Sequence, residues 1–167
     1  MEKILETDRL FLRNLLPEDG TTIHAYRNDH RCYIYQRWED TSRESICRFI
    51  REFGCSRFLS EQEEQHYAIS TRSGVLIGDL SYFYTQRDNC VTLGITIAPE
   101  HQRKGYGFEL LRAVVEAVQV RHPKLDIVAL IDKENVPSIA LFEKLGFYRE
   151  CYAKSIASYV YVIDAIV

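Results

Sequence analysis

The chain has 167 residues, 46% of them hydrophobic and 27% charged, a composition typical of one globular domain covering residues 1–167. Its net charge of −3 argues against nucleic acid as a partner, and its apolar runs are too short to cross a membrane. The charged N-terminal segment MEKILETDRL lacks the apolar stretch of a signal peptide, so we expect a cytoplasmic protein.

The first half of the chain predicts one strand, two helices and then three strands. The alternating segment RLFLR is typical of a half-buried strand, and a helix is expected after LLPEDG. TSRESICRFIREFG predicts a second helix that Ser42 caps and Gly54 ends. The strands HYAIST, GVLIGDLSYFYT and CVTLGITIA follow, and Gly94 in the third marks a bulge or a close backbone approach.

The second half of the chain alternates helices with strands. Apolar residues at three- and four-residue spacing predict a helix after Gly107, and the apolar run LDIVALI predicts a central strand. VPSIALFEKLG predicts a short helix, and GFYRECYA and ASYVYVIDAIV predict two closing strands. This order predicts a mixed α/β layer fold, with an antiparallel first half and helical crossovers in the second.

The five cysteines and five histidines are scattered, without CxxC, HExxH or HxxxH spacing. This pattern predicts free thiols in a reducing compartment and no metal site.

The segment QRKGYG lies at a strand-to-helix junction and has the composition of an anion-binding loop. A helix N-terminus exposes unpaired N–H groups, and glycine lets a phosphate approach the backbone closely. The segment matches neither the P-loop pattern GxxxxGK[ST] nor the dinucleotide pattern GxGxxG. By itself it therefore predicts either a phosphate-binding loop or a tight turn with solvated cations.

Three segments in this order resemble the GNAT superfamily of acetyl-CoA-dependent N-acetyltransferases: QRKGYG, LIDKENVPSIALFEKLGF and the opening LETDRLFLRNLLPEDG. The opening is similar to that of the RimJ/RimL-like branch. The resemblance implies a mixed, mostly antiparallel sheet of about 6–7 strands flanked by about 4 helices. It also implies that the two central strands splay apart around acetyl-CoA, the co-substrate.

The resemblance further implies which residues bind the coenzyme. The pyrophosphate would lie on the loop QRKGYG, and the pantetheine arm would lie beside the preceding strand. Asn135 would hydrogen-bond that arm or cap the helix that follows it. The implied cofactor-binding residues are Ile95, Thr96, Ile97, Gln102, Arg103, Lys104, Gly105, Tyr106, Gly107, Asn135 and Phe142.

Acetyl transfer to an amine requires a neutral amine and a proton or hydrogen bond for the departing thiolate. Many family members use a Tyr for the second task, but the matching residue here is Phe142, which has no proton to donate. Ser138, near the start of the same helix, matches a Ser that RimJ/RimL-like members use. The base stays open between Asp79, His66 and a water relay.

Acceptor binding is expected to involve aromatic residues, and the predicted set is Tyr33, Trp38, Tyr82 and Tyr84. Tyr26 and Tyr35 belong to the same aromatic region, which alternatively is hydrophobic core. The acidic segment SEQEEQ would attract a cationic amine or form a solvated loop.

Three functions remain open at this point. The first is transfer of acetyl to a primary amine, which in the RimJ/RimL-like branch would be a protein N-terminus. The second is acetylation of a polyamine or aminoglycoside, and the third is an acyl-CoA-binding module without turnover. The chain is expected to be a monomer or a homodimer.

Overall fold

The computed structural model describes residues 2–166. Within them, one eight-stranded sheet has the order β1-β2-β3-β4-β5-β6-β8-β7. The strands are β1 (Leu5–Glu6), β2 (Leu10–Arg13), β3 (Glu64–Thr71), β4 (Leu76–Thr85), β5 (Cys90–Ile97), β6 (Asp126–Asp132), β7 (Tyr148–Ala153) and β8 (Ser158–Ile163). The α-helices are α1 (Gly20–Arg27), α2 (His30–Tyr33), α3 (Arg43–Phe53), α4 (Tyr106–Arg121) and α5 (Val136–Lys144).

The predicted mixed, mostly antiparallel α/β fold is confirmed. Strands β5 and β6 pair in parallel, and the other described pairs are antiparallel. The part of the chain that the structure describes has eight strands and five α-helices, slightly more than predicted. The two unpredicted elements are the two-residue β1 and the four-residue α2, which are too short to show any periodicity.

Helix α3 shows how directly the sequence determines some local structure. The Ser42 hydroxyl oxygen accepts a hydrogen bond from the Ser45 backbone N–H at 3.2 Å, which satisfies one of the free donors of the first turn. Ile46 and Ile50 are buried on one face, and Gly54 follows the last turn. The predicted cap is therefore present, and the helix has a buried apolar face.

The two faces of the sheet pack against different helices. On one face, Leu80 and Leu93 join a core cluster with Leu111 and Val114 of α4. On the other face, Ala68 belongs to a second cluster that includes side chains from α1 and α3. Among residues 2–166, no helix is long and apolar enough to span a membrane.

The sheet splays between its two parallel strands, as predicted. The register of β5 with β6 ends at Thr92 and Val128, although the strands continue to Ile97 and Asp132. The backbone edges that separate beyond this point have no ladder partner across the gap, so they are available to a ligand.

Candidate active site

A cavity of about 540 Å³ opens where β5 and β6 separate. Strand β5 lines it from Thr92 to Thr96, and residues from β6, α5, the segment after α2 and the start of β8 complete the wall. It extends across the sheet to side chains of β3 and β4. The lining residues used below are Arg27, Tyr35, Arg37, Trp38, Glu64, His66, Asp79, Ser81, Phe83, Ile95, Thr96, Asp132, Asn135, Ser138, Phe142 and Ser158.

The free edge of β5 offers backbone hydrogen bonds to this gap. Ala98 N–H donates to the Ile77 carbonyl of β4 at 2.8 Å, so the groups of Ala98 face β4. Because the direction alternates along a strand, the groups of Leu93, Ile95 and Ile97 face the gap. An extended ligand placed there would pair like an added strand.

One of these gap-facing groups is already occupied. The Ile97 carbonyl accepts a hydrogen bond from Gln102 Nε2 at 2.9 Å and from the Cys32 thiol at 3.5 Å. The side chain of Gln102 therefore holds the end of β5, and binding of the coenzyme by this residue stays a prediction. Beyond the last paired position, the Leu93 carbonyl and the backbone groups of Ile95 also face the gap.

The predicted anion-binding loop forms a left-handed turn directly before α4. Gly105 is the N-cap residue with φ 78°, and Arg103 has φ 59°. Gly105 has no side chain to cap the helix, so the first-turn N–H groups stay free for an anion. Arg9 stabilises this turn, because its Nη1 donates to the Lys104 carbonyl at 2.8 Å and its guanidinium lies over the Tyr106 ring.

Gly107 has a packing role that the sequence did not reveal. A Cβ at this position would lie 3.3 Å from Leu141 Cδ2 and 3.9 Å from Ile95 Cδ1. The glycine therefore lets α4 approach α5 and β5 closely. Gly94 marks a close approach of the backbone to a side chain, because a Cβ added there would lie 2.5 Å from Ser81 Oγ. It does not mark a bulge, since the β4–β5 register continues through this position.

Helix α5 contributes three of the predicted residues to the cavity: Asn135, Ser138 and Phe142. The Asn135 side-chain oxygen accepts the Ser138 backbone N–H at 3.4 Å and caps the helix. Both roles considered for Asn135 are thus compatible with its position. Phe142 is 3% exposed and packs edge-on against Phe147 at 5.0 Å, so it shapes the cavity floor.

Asp79 lies on the cavity wall, but its carboxylate is engaged. The Tyr26 hydroxyl donates a hydrogen bond to Asp79 Oδ2, and Arg27 Nη2 lies 3.7 Å from the same oxygen. Burial, with the charge of Asp79 adding to it, raises the pKa of Tyr26 well above its ordinary value, so Tyr26 keeps this proton. The Asp79 carboxylate therefore contacts Tyr26 and Arg27, and its role as the base stays a prediction.

His66 also lies on the cavity wall, with its ring enclosed by the aromatic rings of Phe49 and Phe53. Its Nε2 lies 2.8 Å from Glu64 Oε1, and its buried Nδ1 has no hydrogen-bond partner among residues 2–166. Glu64 begins β3 instead of belonging to a surface loop. His66 therefore remains available as part of a proton path.

The aromatic prediction is only partly compatible with the geometry. Trp38 and Tyr35 line the cavity, whereas Tyr33 is 44% exposed, packs against His30 and is not part of the wall. Tyr82 and Tyr84 point to the opposite face of β4 from the cavity.

Strand alternation explains this correction. Asp79, Ser81 and Phe83 of β4 line the cavity, so the even-numbered residues of that strand must face away from it. Tyr82 is fully buried in the core behind the sheet. The sequence contained this signal, because Asp79 and Tyr82 are an odd number of positions apart on one strand.

Two arginines of the cavity wall were not predicted. Arg27 is the last residue of α1 and is 8% exposed, and Arg37 lies after α2 with its Nη2 3.3 Å from the Ser158 hydroxyl. Neither belongs to a motif or a periodic pattern. Among residues 2–166, no group of three or more His, Cys, Asp or Glu side chains has the arrangement of a metal site.

Known proteins match both the sequence and the fold. A family model described as the acetyltransferase (GNAT) domain matches residues 9–148. The uncharacterised N-acetyltransferase YoaA of Bacillus subtilis is 30% identical over 153 residues, covering 90% of this chain and 85% of YoaA. The [ribosomal protein uS5]-alanine N-acetyltransferase of Escherichia coli is 28% identical over 165 residues, covering 90% of this chain and 80% of its own length.

Two solved structures with coenzyme A share the fold. RimL, a ribosomal L7/L12 α-N-protein acetyltransferase, has a TM-score of 0.78 at 17% identity, with 99% of each chain covered. The spermidine N-acetyltransferase of Vibrio cholerae, in complex with CoA and spermine, has a TM-score of 0.72 at 21% identity, with 92% of each chain covered.

Proposed function

The chain belongs to the GNAT family of acetyl-CoA-dependent N-acetyltransferases, and we propose that it transfers acetyl by direct attack of a primary amine at a protein N-terminus. The observation that carries this proposal is the end of β5–β6 pairing at Thr92 and Val128, with a cavity opening at that point. The gap joins the coenzyme side of the fold to an enclosed space for the amine.

The chain's own residues account for binding of the coenzyme. The free N–H groups that follow Gly105 would bind the pyrophosphate, with Arg103 and Lys104 adding positive charge. The Leu93 carbonyl and the backbone groups of Ile95 would pair with the pantetheine arm. When bound, acetyl-CoA supplies an activated acetyl group as a thioester.

Side chains of the cavity wall could serve both proton steps of the reaction, at the leaving sulfur and at the amine. Phe142 cannot protonate a departing thiolate, and the Ser138 hydroxyl lines the same cavity one helical turn earlier. We assign Ser138 to donating a hydrogen bond to the leaving sulfur. The amine would lose its proton along the wall that contains His66 and Glu64, directly or through water.

The cavity wall has both signs of charge: the guanidinium groups of Arg27 and Arg37, and the carboxylates of Glu64, Asp79 and Asp132. Asp79 contacts Tyr26 and Arg27, and Glu64 contacts His66. This mixed lining does not separate an N-terminal amine from a polyamine, so the assignment to an N-terminus rests on similarity to relatives. The relative that acetylates an alanine of ribosomal protein uS5 supports the same assignment.

The test is release of free coenzyme A thiol from acetyl-CoA in the presence of different amines. The panel includes short peptides with free N-termini, spermidine, spermine and an aminoglycoside. We expect release with one or more of the peptides. Preference for the polyamines would instead favour the activity of the Vibrio cholerae enzyme that shares this fold. Acetyl-CoA binding without thiol release for any amine would favour a binding module.

A further inference from the structure

Arg27 presents a guanidinium group that is buried at the cavity wall without a hydrogen-bond partner. The residue is 8% exposed and lines the cavity. Its Nε is enclosed and unpaired, and its Nη2 comes only within 3.7 Å of Asp79 Oδ2, which is beyond hydrogen-bond length. Within the described residues 2–166, this charged group therefore has donors that nothing satisfies.

Aromatic rings hold the guanidinium in place. Its Cζ lies 4.2 Å from the ring centroid of Phe49 and 5.0 Å from that of Trp38. Ring faces stabilise the positive charge, but they leave the in-plane N–H donors of the guanidinium free. The Nε–H is enclosed, so a ligand oxygen in the cavity would reach the Nη N–H groups, where a charge-assisted hydrogen bond would strengthen binding.

Strand pairing places this group beside the coenzyme strand. Asp79, the closest carboxylate to Arg27, pairs with Thr96 of β5, and both residues line the cavity. Paired residues on neighbouring strands have their Cβ atoms about 5 Å apart. Arg27 therefore lies toward the β4 side of β5, about one strand spacing of 5 Å from the edge of β5 that faces the gap.

From this arrangement we infer that Arg27 binds an oxygen of the acceptor itself, adjacent to the reacting amine. The acceptor class is an amine with a neighbouring carbonyl or carboxylate oxygen, as in a peptide N-terminus or a free α-amino acid. Simple amines and polyamines lack this oxygen. The inference rests on the proposed amine acetyl transfer and narrows its substrate.

The first experiment compares three matched amines in the thiol-release assay: L-alanine, L-alaninamide and ethylamine. Beside the amine, L-alanine has a carboxylate, L-alaninamide has an amide carbonyl, and ethylamine has no oxygen. Corresponding sets of compounds with acidic, basic and aromatic side chains extend the comparison. We expect turnover of an oxygen-bearing member, and Arg27→Met should raise its KM about 10- to 100-fold. The KM for ethylamine should rise much less than that of the oxygen-bearing member, and Arg27→Lys should restore part of the affinity.

Two further variants separate binding from a structural role. Arg31→Met is the matched control, because Arg31 is exposed, pairs with Asp29 and does not line the cavity. Asp79→Asn tests whether loss of the Arg27–Asp79 contact alone explains the result. If Arg27→Met and Asp79→Asn each lower the turnover of all amines by the same factor, Arg27 has only a structural role and the inference is wrong.

A binding measurement keeps the inference testable without turnover. Trp38 is the only tryptophan of the chain and lies against Arg27, so its fluorescence reports on ligands at this position. With coenzyme A present, we expect N-acetylalanine or N-acetylalaninamide to change the signal in the wild type and not in Arg27→Met. N-ethylacetamide should not change it. An equal response to all three probes, or to none of them, overturns the inference, whereas absent thiol release alone overturns only the proposed transfer activity.

Discussion

Arg9 Nε donates a 2.6 Å hydrogen bond to Glu109 Oε2, joining two residues that are 100 positions apart in the chain. The other carboxylate oxygen of Glu109 accepts from the Arg9 backbone N–H at 2.8 Å and from the Thr7 hydroxyl at 2.6 Å. Arg9 also holds the Lys104 carbonyl of the anion-binding loop. The N-terminal segment TDR therefore braces the predicted anion-binding loop from outside the cavity.

This brace predicts that Glu109→Gln weakens acetyl-CoA binding. The substitution removes the charge that orients Arg9, so the turn at Lys104 loses a restraint. We expect the Kd for acetyl-CoA, measured by titration calorimetry, to rise about 10-fold, which corresponds to loss of one charge-assisted hydrogen bond. Glu116→Gln is the matched control, because it breaks an exposed Arg112–Glu116 pair on the same helix. Equal Kd values for the two variants would contradict the brace.

The same carboxylate predicts an acid-sensitive contribution to stability. Burial raises the pKa of Glu109, but hydrogen bonds from Thr7 and Arg9 outweigh it and lower the pKa below its ordinary value. A group whose pKa is lowered in the fold stabilises the fold at pH values above its unfolded-state pKa, which is about 4.3 for Glu. This stabilisation is lost as the pH falls through the folded-state pKa. Urea unfolding should show wild type losing more stability than Glu109→Gln between about pH 5 and 3. Parallel losses would argue against this contribution.

Ser138→Ala should lower turnover without changing acetyl-CoA affinity. The hydroxyl is assigned to the leaving sulfur, whereas the helix cap uses only the Ser138 backbone N–H. We expect kcat to fall about 10-fold or more, since one transition-state hydrogen bond is lost. Ser45→Ala is the control, because Ser45 has the same position relative to its own cap, Ser42. An unchanged kcat would remove Ser138 from the chemistry.

Substitutions at Asn135 separate its two roles. Asn135→Ser keeps a side-chain oxygen that can cap α5 but removes the amide that would bond the pantetheine arm. We expect Asn135→Ser to weaken acetyl-CoA binding with little change in melting temperature. Asn135→Ala should in addition lower stability by about 1 kcal/mol, through loss of the cap. Wild-type affinity in both variants would limit Asn135 to capping.

Gly105→Asn tests the anion-binding loop without unfolding it. Because φ at Gly105 is 78°, a branched residue such as Val would strain the turn whatever the ligand, whereas Asn tolerates this conformation. A Cβ here would lie 3.3 Å from Arg9 Nη2, so the added side chain should crowd the guanidinium group that holds the loop, and we expect weaker acetyl-CoA binding at near-normal stability. Gly74→Asn provides the comparison, since Gly74 has φ 90° and open space around it. The loop would lose its assigned role if both variants bound acetyl-CoA like wild type.

The sequence predicted the elements whose signals are local. Ser42 and Gly54 bound α3 through nearby backbone groups, and the apolar spacing after Gly107 predicts α4. These features depend on residues a few positions apart, so a single sequence contains them in full. The fold followed from the order of these elements together with the family resemblance.

The missed features depend on contacts between distant segments. The Gln102 side chain bonds the Ile97 carbonyl at the end of β5, and Gly107 leaves room for the Leu141 side chain. Arg9 bonds the Lys104 carbonyl, although the two residues are far apart in the chain. Such contacts depend on the final packing and leave no spacing in the sequence. The exception is Tyr82, whose orientation followed from strand alternation relative to Asp79.

The sequence by itself determined the family, the order of the main elements and the glycine-containing loop before α4, because each depends on motifs of neighbouring residues. The tertiary structure decided which side chains form the wall of the cavity. Arg27, Trp38 and His66 come from separate elements, and they meet only because α1 packs across the face of β3 and β4. Their common environment results from packing, which no local pattern encodes.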